Sequence, residues 1–170
     1  MKKVYNLLLA LASTSPMILI FTLNAQIVIL PTMQPYLSYL LVLFCVILIN
    51  ALGIFSFRYL SKDSIEGKLK DLELANSNFL PSYLGYFFVA VSITRIDTFL
   101  LVYGLTVLLV TLSQSMYYNP LLLVFRYNFY HATDENGTRI FLITRKKIRT
   151  IQTEGFTQLR RINDVTYIEI

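Results

Sequence analysis

Residues 4–57, VYNLLLALASTSPMILIFTLNAQIVILPTMQPYLSYLLVLFCVILINALGIFSF, contain no Asp, Glu, Lys, Arg or His. The elements of a water-soluble domain need a wetted side, and an uncharged run of this length offers none. A hydrocarbon core of about 30 Å is crossed by roughly 20 apolar residues of helix at about 1.5 Å each. The run has room for two passes. Leu30-Pro31-Thr32-Met33-Gln34-Pro35 is the natural break, because each proline removes an amide hydrogen and restricts the residue before it. Two membrane helices are therefore expected, at about residues 7–30 and 36–57.

Upstream, Lys2-Lys3 resembles the basic start of a secretory signal, and Ala10-Leu11-Ala12 has the small-x-small form of a cleavage site. The apolar segment before that site is short and interrupted by Tyr5-Asn6, while Pro16-Met17-Ile18-Leu19-Ile20-Phe21 continues apolar beyond it. A retained first span, kinked at Pro16, is the reading favoured. Asn24 and Gln26 are expected to face other helices or the far interface. Cys45 has no second cysteine with which to pair and reads as a small buried apolar residue. With twelve Phe, twelve Tyr and no Trp, any interfacial aromatic belt has to be built from Tyr and Phe.

Downstream of Phe57 the composition changes sharply. Residues 58–77 mix Arg58, Lys62, Lys68 and Lys70 with Asp63, Glu66, Asp71 and Glu73. This reads as a solvated loop carrying one surface helix, with Ile65, Leu69 and Leu72 at helical spacing. A coupling element that docks a partner is the alternative. Asn76-Ser77-Asn78 then supplies a helix cap, and Pro81 sits where a first-turn proline is tolerated. Two further apolar segments, 79–95 and 98–116, are divided by Arg95-Ile96-Asp97. One helix through both would extend nearly 60 Å, about twice the core, so two passes joined by a tight turn are expected. Positive residues flank one side of all four expected spans, which predicts both termini in the cytoplasm.

The carboxy-terminal part reads as β. Leu121–Tyr130 is aliphatic and aromatic, Asp134-Glu135-Asn136-Gly137 carries a hairpin turn, and Thr138–Thr144 returns. Phe156–Ile162 and Val165–Ile170 flank a second turn at Asn163-Asp164. The expected fold class is thus an α-helical membrane protein: four transmembrane helices within residues 1–118, followed by a small cytoplasmic all-β domain at 119–170.

Chemistry-bearing constellations are sparse. His131 has Asp134 and Glu135 close behind it, but no second His or nearby Cys completes a metal site, so a strand-end surface residue is expected. The chain shows no nucleophile motif and no phosphate-binding glycine loop. Nor do its apolar spans hold the buried charges that usually mark ion or proton pathways. Neither an enzyme nor a cofactor is expected. The strongest candidate site is the basic run Arg145, Lys146, Lys147 and Arg149, joined by Arg160 and Arg161. Such a cluster beside a membrane suits anionic lipid first, a protein partner second and direct nucleic-acid contact last. Arg95 and Asp97 mark the ends of the spans, or form an exposed sensing pair on the far side.

The order of parts resembles the KwaA family, the membrane subunits of the two-component Kiwa anti-phage defence system of bacteria. The likeness lies in four spans with a short third and fourth, and in Tyr117-Tyr118-Asn119-Pro120-Leu121 leading into Arg126-Tyr127-Asn128-Phe129-Tyr130. The Asn136-Gly137 turn, Phe141-Leu142-Ile143-Thr144-Arg145-Lys146-Lys147 and Val165-Thr166-Tyr167-Ile168 complete it. The resemblance implies a bacterial inner-membrane sensor of infection that forms a homo-oligomer. It also implies a separate cytoplasmic DNA-binding effector, KwaB, to which nucleic-acid contact mainly belongs. The alternatives are a membrane anchor or accessory subunit of another complex, such as a transporter, and a small oligomeric channel lined by Asn24, Gln26, Asn50, Thr106, Thr111 and Gln114.

Overall fold

The computed structural model describes residues 2–30, 34–63, 70–77, 80–113, 119–133, 137–148 and 159–169. The chain forms two compact units, Met1–Gly53 with Phe79–Asn119, and Ile54–Asn78 with Pro120–Ile170.

The first unit is helical: α1 (Lys2–Asn24), α2 (Pro35–Ser56), α3 (Leu80–Ser92) and α4 (Ile96–Leu112). Two stretches are long and apolar enough to cross a membrane, Tyr5–Asn24 and Pro35–Tyr59. α1 ends because Gln26 turns left-handed at φ 51°. The amide of Gln26 then reaches Leu23 O at 3.3 Å and that of Ile27 reaches Thr22 O at 3.1 Å, which satisfies the last carbonyls of the helix. Asn24 Nδ2 donates to Val91 O at 2.7 Å and Ile93 O at 3.1 Å, capping the end of α3. Asn24 thus faces another helix, whereas Gln26 is exposed. The core is Met17, Phe21, Ala90 and Phe99, with the Phe21 and Phe99 rings stacked at 3.8 Å. α2 buries a narrow stripe of Ser38, Val42, Val46, Asn50 and Gly53. Its other sides leave Leu40, Phe44, Leu48, Leu52 and Phe55 exposed. Cys45 also lies on the exposed side of α2 and is not the buried residue expected.

The second unit is a mixed sheet: β1 (Lys62–Asp63), β2 (Asp71–Leu74), β3 (Asn128–Thr133), β4 (Arg139–Thr144), β5 (Leu159–Arg161) and β6 (Thr166–Glu169). The spatial order is β1-β5-β6-β4-β3-β2, with β4 and β6 parallel and every other pair antiparallel. Gly137, at φ 80°, lies in the β3–β4 connection, while Asp134, Glu135 and Asn136 lie outside the described residues. In the β5–β6 turn, Asn163 Oδ1 accepts the amides of Val165 at 3.0 Å and Thr166 at 2.8 Å, the local bonding for which Asn is favoured in turns. Tyr130, Leu142 and Leu159 form a buried cluster on one face.

The expected four-span helical protein with a separate all-β tail is corrected in three respects. α3 has 13 residues and α4 has 17, about 20 and 25 Å of helix, so neither reaches the length that α1 and α2 attain. Hydropathy marked both apolar segments but not where the backbone leaves the helix, which it does through Ile93–Arg95. Secondly, residues 58–77 contribute the two outer strands of the sheet. Of the surface helix expected there, Leu72 sits in β2, and Ile65 and Leu69 lie outside the described residues. Asn76, expected to cap a helix, instead bonds the sheet: its Oδ1 accepts the Phe129 amide at 2.8 Å and its Nδ2 reaches Asn128 Oδ1 at 3.1 Å. Thirdly, the strand expected over Leu121–Tyr130 begins as a fifth helix, α5 (Pro120–Val124).

Candidate functional site

The first candidate lies around Pro16, inside α1. A proline inside a helix lacks the amide that would bond the carbonyl four residues back, and its ring crowds that carbonyl. Here Ala12 O loses that partner, and Ser15 Oγ donates to it at 2.7 Å. The neighbouring carbonyl, Ser13 O, takes a 2.5 Å bond from the hydroxyl of Tyr83 on α3. Asn50 of α2 extends the network, with its Nδ2 donating to Ser15 Oγ at 3.0 Å and to Val46 O at 2.8 Å. Its Oδ1 accepts from Asn119 Nδ2. A polar chain thus runs from Asn119 through Asn50 and Ser15 to the α1 carbonyl that Pro16 leaves without its helical donor. Thr14 Oγ1 adds a 3.3 Å bond to the Tyr103 hydroxyl on α4. Neighbouring helices and hydroxyl side chains are the usual means of satisfying backbone groups freed by a proline away from water.

Tyr83→Phe removes the donor to Ser13 O and leaves that acceptor buried. The expected loss is about 1–2 kcal/mol, read as a lower thermal midpoint of the purified protein. An unchanged midpoint would mean that the bond contributes nothing.

The second candidate is the set of cations expected to form one basic patch. The structure gives three of them hydrogen-bonding partners within the chain. Lys146 Nζ pairs with Glu169 Oε1 at 2.5 Å, where the Glu169 side chain is only 10% exposed. Glu169 Oε2 takes the Thr144 hydroxyl at 2.5 Å. Arg160 Nη1 donates to the carbonyls of Arg58 at 2.7 Å and Leu60 at 2.6 Å, holding the chain after α2. Arg161 braces the β5–β6 turn through Asn163 O at 3.1 Å and Asp164 Oδ1 at 3.3 Å. Arg160 and Arg161 are adjacent on β5 and so point to opposite faces of the sheet. One flat patch cannot include both. Lys147 is exposed, and Arg149 lies outside the described residues.

Arg145 is placed differently. Its guanidinium lies over the Tyr127 ring, 4.6 Å from the centroid. Tyr127 is buried and meets Phe57 edge-on at 6.5 Å. Arg58, next to Phe57, lies over the Phe55 ring at 5.5 Å. Arg126, next to Tyr127, is exposed and held left-handed at φ 64° as the cap that ends α5. The amides of Arg126 and Tyr127 bond Leu123 O at 2.9 Å and Leu122 O at 2.9 Å. Sequence reasoning overlooked Arg58 and Arg126 as site residues, because only the fold brings them to the Phe57–Tyr127 contact.

Arg95 and Asp97 form an exposed bidentate pair, Nε to Oδ1 at 3.1 Å and Nη2 to Oδ2 at 2.7 Å. Arg95 is the extended residue just before α4 and Asp97 lies in its first turn, so the pair clasps the helix start. The Arg95 hydrogen bond, helped by the Thr98 amide, lowers the Asp97 pKa below its ordinary value. His131 sits within β3 rather than at its end, between Glu73 of β2 and Phe141 of β4. Among the described residues no group of three His, Cys, Asp or Glu side chains is placed to hold a metal ion.

Residues 5–168 match the family model of the anti-phage protein KwaA. The chain belongs to the KwaA family. No curated protein and no solved structure matches it. The KwaA match takes in helices and sheet together, so the anti-phage assignment applies to both units rather than to either alone.

Proposed function

We propose that this KwaA-family chain is a membrane-embedded, non-enzymatic subunit that registers phage infection in the bilayer. In this reading it assembles as a homo-oligomer in the bacterial inner membrane and relays the event to a cytoplasmic DNA-binding effector of the KwaB kind. The observation that carries the reading is α2. Most of the apolar Pro35–Tyr59 stretch is not buried, and Leu40, Phe44, Leu48, Leu52 and Phe55 project outward. A core helix of a soluble protein would bury such side chains, whereas acyl chains solvate them at no cost. Lys2 and Lys3 begin α1, Arg58 and Lys62 follow α2, and residues 25–34 between the helices are uncharged. The positive-inside bias supports a cytoplasmic amino terminus and α2 exit in this reading. The network at Pro16 supplies the element to be perturbed, since shifting α1 against α2 or α3 has to break bonds to Asn50 or Tyr83.

Channel lining is less well supported. Thr106 and Thr111 bond carbonyls of their own helix at 2.8 and 2.7 Å, and Asn24 and Asn50 are engaged between helices.

The test is alkaline extraction of membranes, followed by protease treatment of an epitope placed after Glu169. The protein should stay in the pellet, and the epitope should be cut in inverted but not in right-side-out vesicles. Release into the supernatant ends the membrane reading. Co-purification in mild detergent should bring a soluble DNA-binding protein, and recovery of a transporter core instead would favour the accessory-subunit alternative.

A further inference from the structure

We propose that Arg58, Arg126 and Arg145, gathered around the Phe57–Tyr127 contact, form a site for the phosphate groups of anionic lipids. The inference rests on the membrane reading above, since the bilayer is the surface engaged. It replaces the basic run by a different set of residues, two of which the run does not contain.

Placement is the first argument. Phe57 and Tyr127 touch, Arg145 lies over Tyr127, and Arg58 and Arg126 are the chain neighbours of the two rings. All belong to the sheet unit, so their grouping is a property of one compact body. Arg58 lies two residues beyond the last residue of α2, in the 3-10 turn Phe57–Tyr59, which holds it within about one helical turn of the helix end.

Charge is the second. Lys146, Arg161 and Arg95 are each ion-paired to a carboxylate. Among the described residues no carboxylate pairs with Arg58, Arg126 or Arg145. A guanidinium stacked on an aromatic face keeps its edge donors for an oxyanion, and its forked geometry matches phosphate. Three arginines with no carboxylate partner among the described residues complement anionic headgroups.

The third argument is backbone strain. A non-glycine residue at φ 64° costs free energy that glycine would avoid, yet Arg126 occupies the position exposed to solvent. Tyr59, 81% exposed, and Val124, 73% exposed, flank the arginines in sequence and provide the apolar and aromatic side chains that enter a headgroup layer.

The experiment uses the full chain purified in mild detergent, with lipid retention read by native mass spectrometry in an equal mixture of phosphatidylglycerol and phosphatidylcholine. The wild type should retain phosphatidylglycerol preferentially. Arg58→Gln, Arg126→Gly and Arg145→Gln should each cut that preference about fivefold, and the triple variant about a hundredfold. Lys146→Gln should leave it within about twofold, because Glu169 already neutralises that charge. Arg126→Gly should also raise the thermal midpoint, since glycine adopts the left-handed cap without strain. Its loss of lipid then cannot be assigned to unfolding.

Retention unchanged in the triple variant overturns the site, as does a Lys146→Gln effect equal to that of Arg145→Gln. Displacement of the lipid by millimolar glycerol 3-phosphate would reassign the arginines to a soluble phosphate ligand and overturn the lipid proposal. A chain that pellets with membranes but shows no phosphatidylglycerol preference loses this site alone, and one that needs no detergent loses the membrane reading as well.

Discussion

Phe129→Ala is expected to remove about 3–5 kcal/mol from the sheet unit, the usual cost of truncating a fully buried phenylalanine. The side chain is wholly inaccessible, and its ring stacks on Phe141 at 5.8 Å with 16° between planes. It also sits where β3 is held by the inter-helix segment. Its amide donates to Asn76 Oδ1 at 2.8 Å and its carbonyl accepts the Ala75 amide at 2.8 Å. Collapse around the missing ring would pull on those bonds, so the cavity has little freedom to close. Against a typical domain stability of about 5–15 kcal/mol, such a loss leaves the sheet close to unfolding. Limited proteolysis should then cleave within residues 120–169 while the helical fragments stay protected, and phage resistance should be lost. A cleavage pattern like that of the wild type would show that Phe129 is not central to the sheet.

The second large effect is expected at Asn50. Replacing it with leucine keeps the bulk but deletes the amide that joins Ser15 and Asn119. Hydrogen bonds between membrane helices average about 0.6 kcal/mol and reach about 1.7, because the unfolded state in the membrane also finds partners. Loss of two such bonds, one to Ser15 and one from Asn119, gives an expected loss of about 1–3 kcal/mol. Asn50→Asp is the informative companion, since a carboxylate still accepts from Asn119 but cannot donate to Ser15. If the network transmits infection, Asn50→Leu should lose phage resistance at temperatures where the solubilised protein remains folded. Full resistance in that variant would remove the network from the signalling pathway and leave it a packing role.

What the sequence made legible follows from how local the physics is. The uncharged Val4–Phe57 run announces two long apolar helices, because absence of charge is a property of the stretch itself. Asn163-Asp164 announces a turn because Asn bonds its own following amides. The family likeness was visible in the order of these parts, and the KwaA match bears it out. The inter-helix strands were not visible. Asp71-Leu72-Glu73-Leu74 alternates for only one short stretch, and the charges that keep an edge strand from pairing onward look the same as those of a solvated loop. Pro120–Val124 is an apolar run too short to separate helix from strand by periodicity. The fate of the basic residues was hidden for another reason. Lys146 is neutralised by a glutamate 23 positions away, and Arg160 is held by carbonyls about a hundred positions earlier. Which cations remain uncompensated is therefore decided by strand register, and composition carries no trace of it.

The strand order β1-β5-β6-β4-β3-β2 also has a temporal meaning. Both outermost strands come from residues 62–74 and emerge from the ribosome before any of the four that fill the space between them. Neither has a strand to pair with until β3 arrives for β2 and β5 for β1. The gap then closes only when β6 slides in beside β4 after a long excursion. The two long apolar helices are thus complete well before the sheet can close during synthesis.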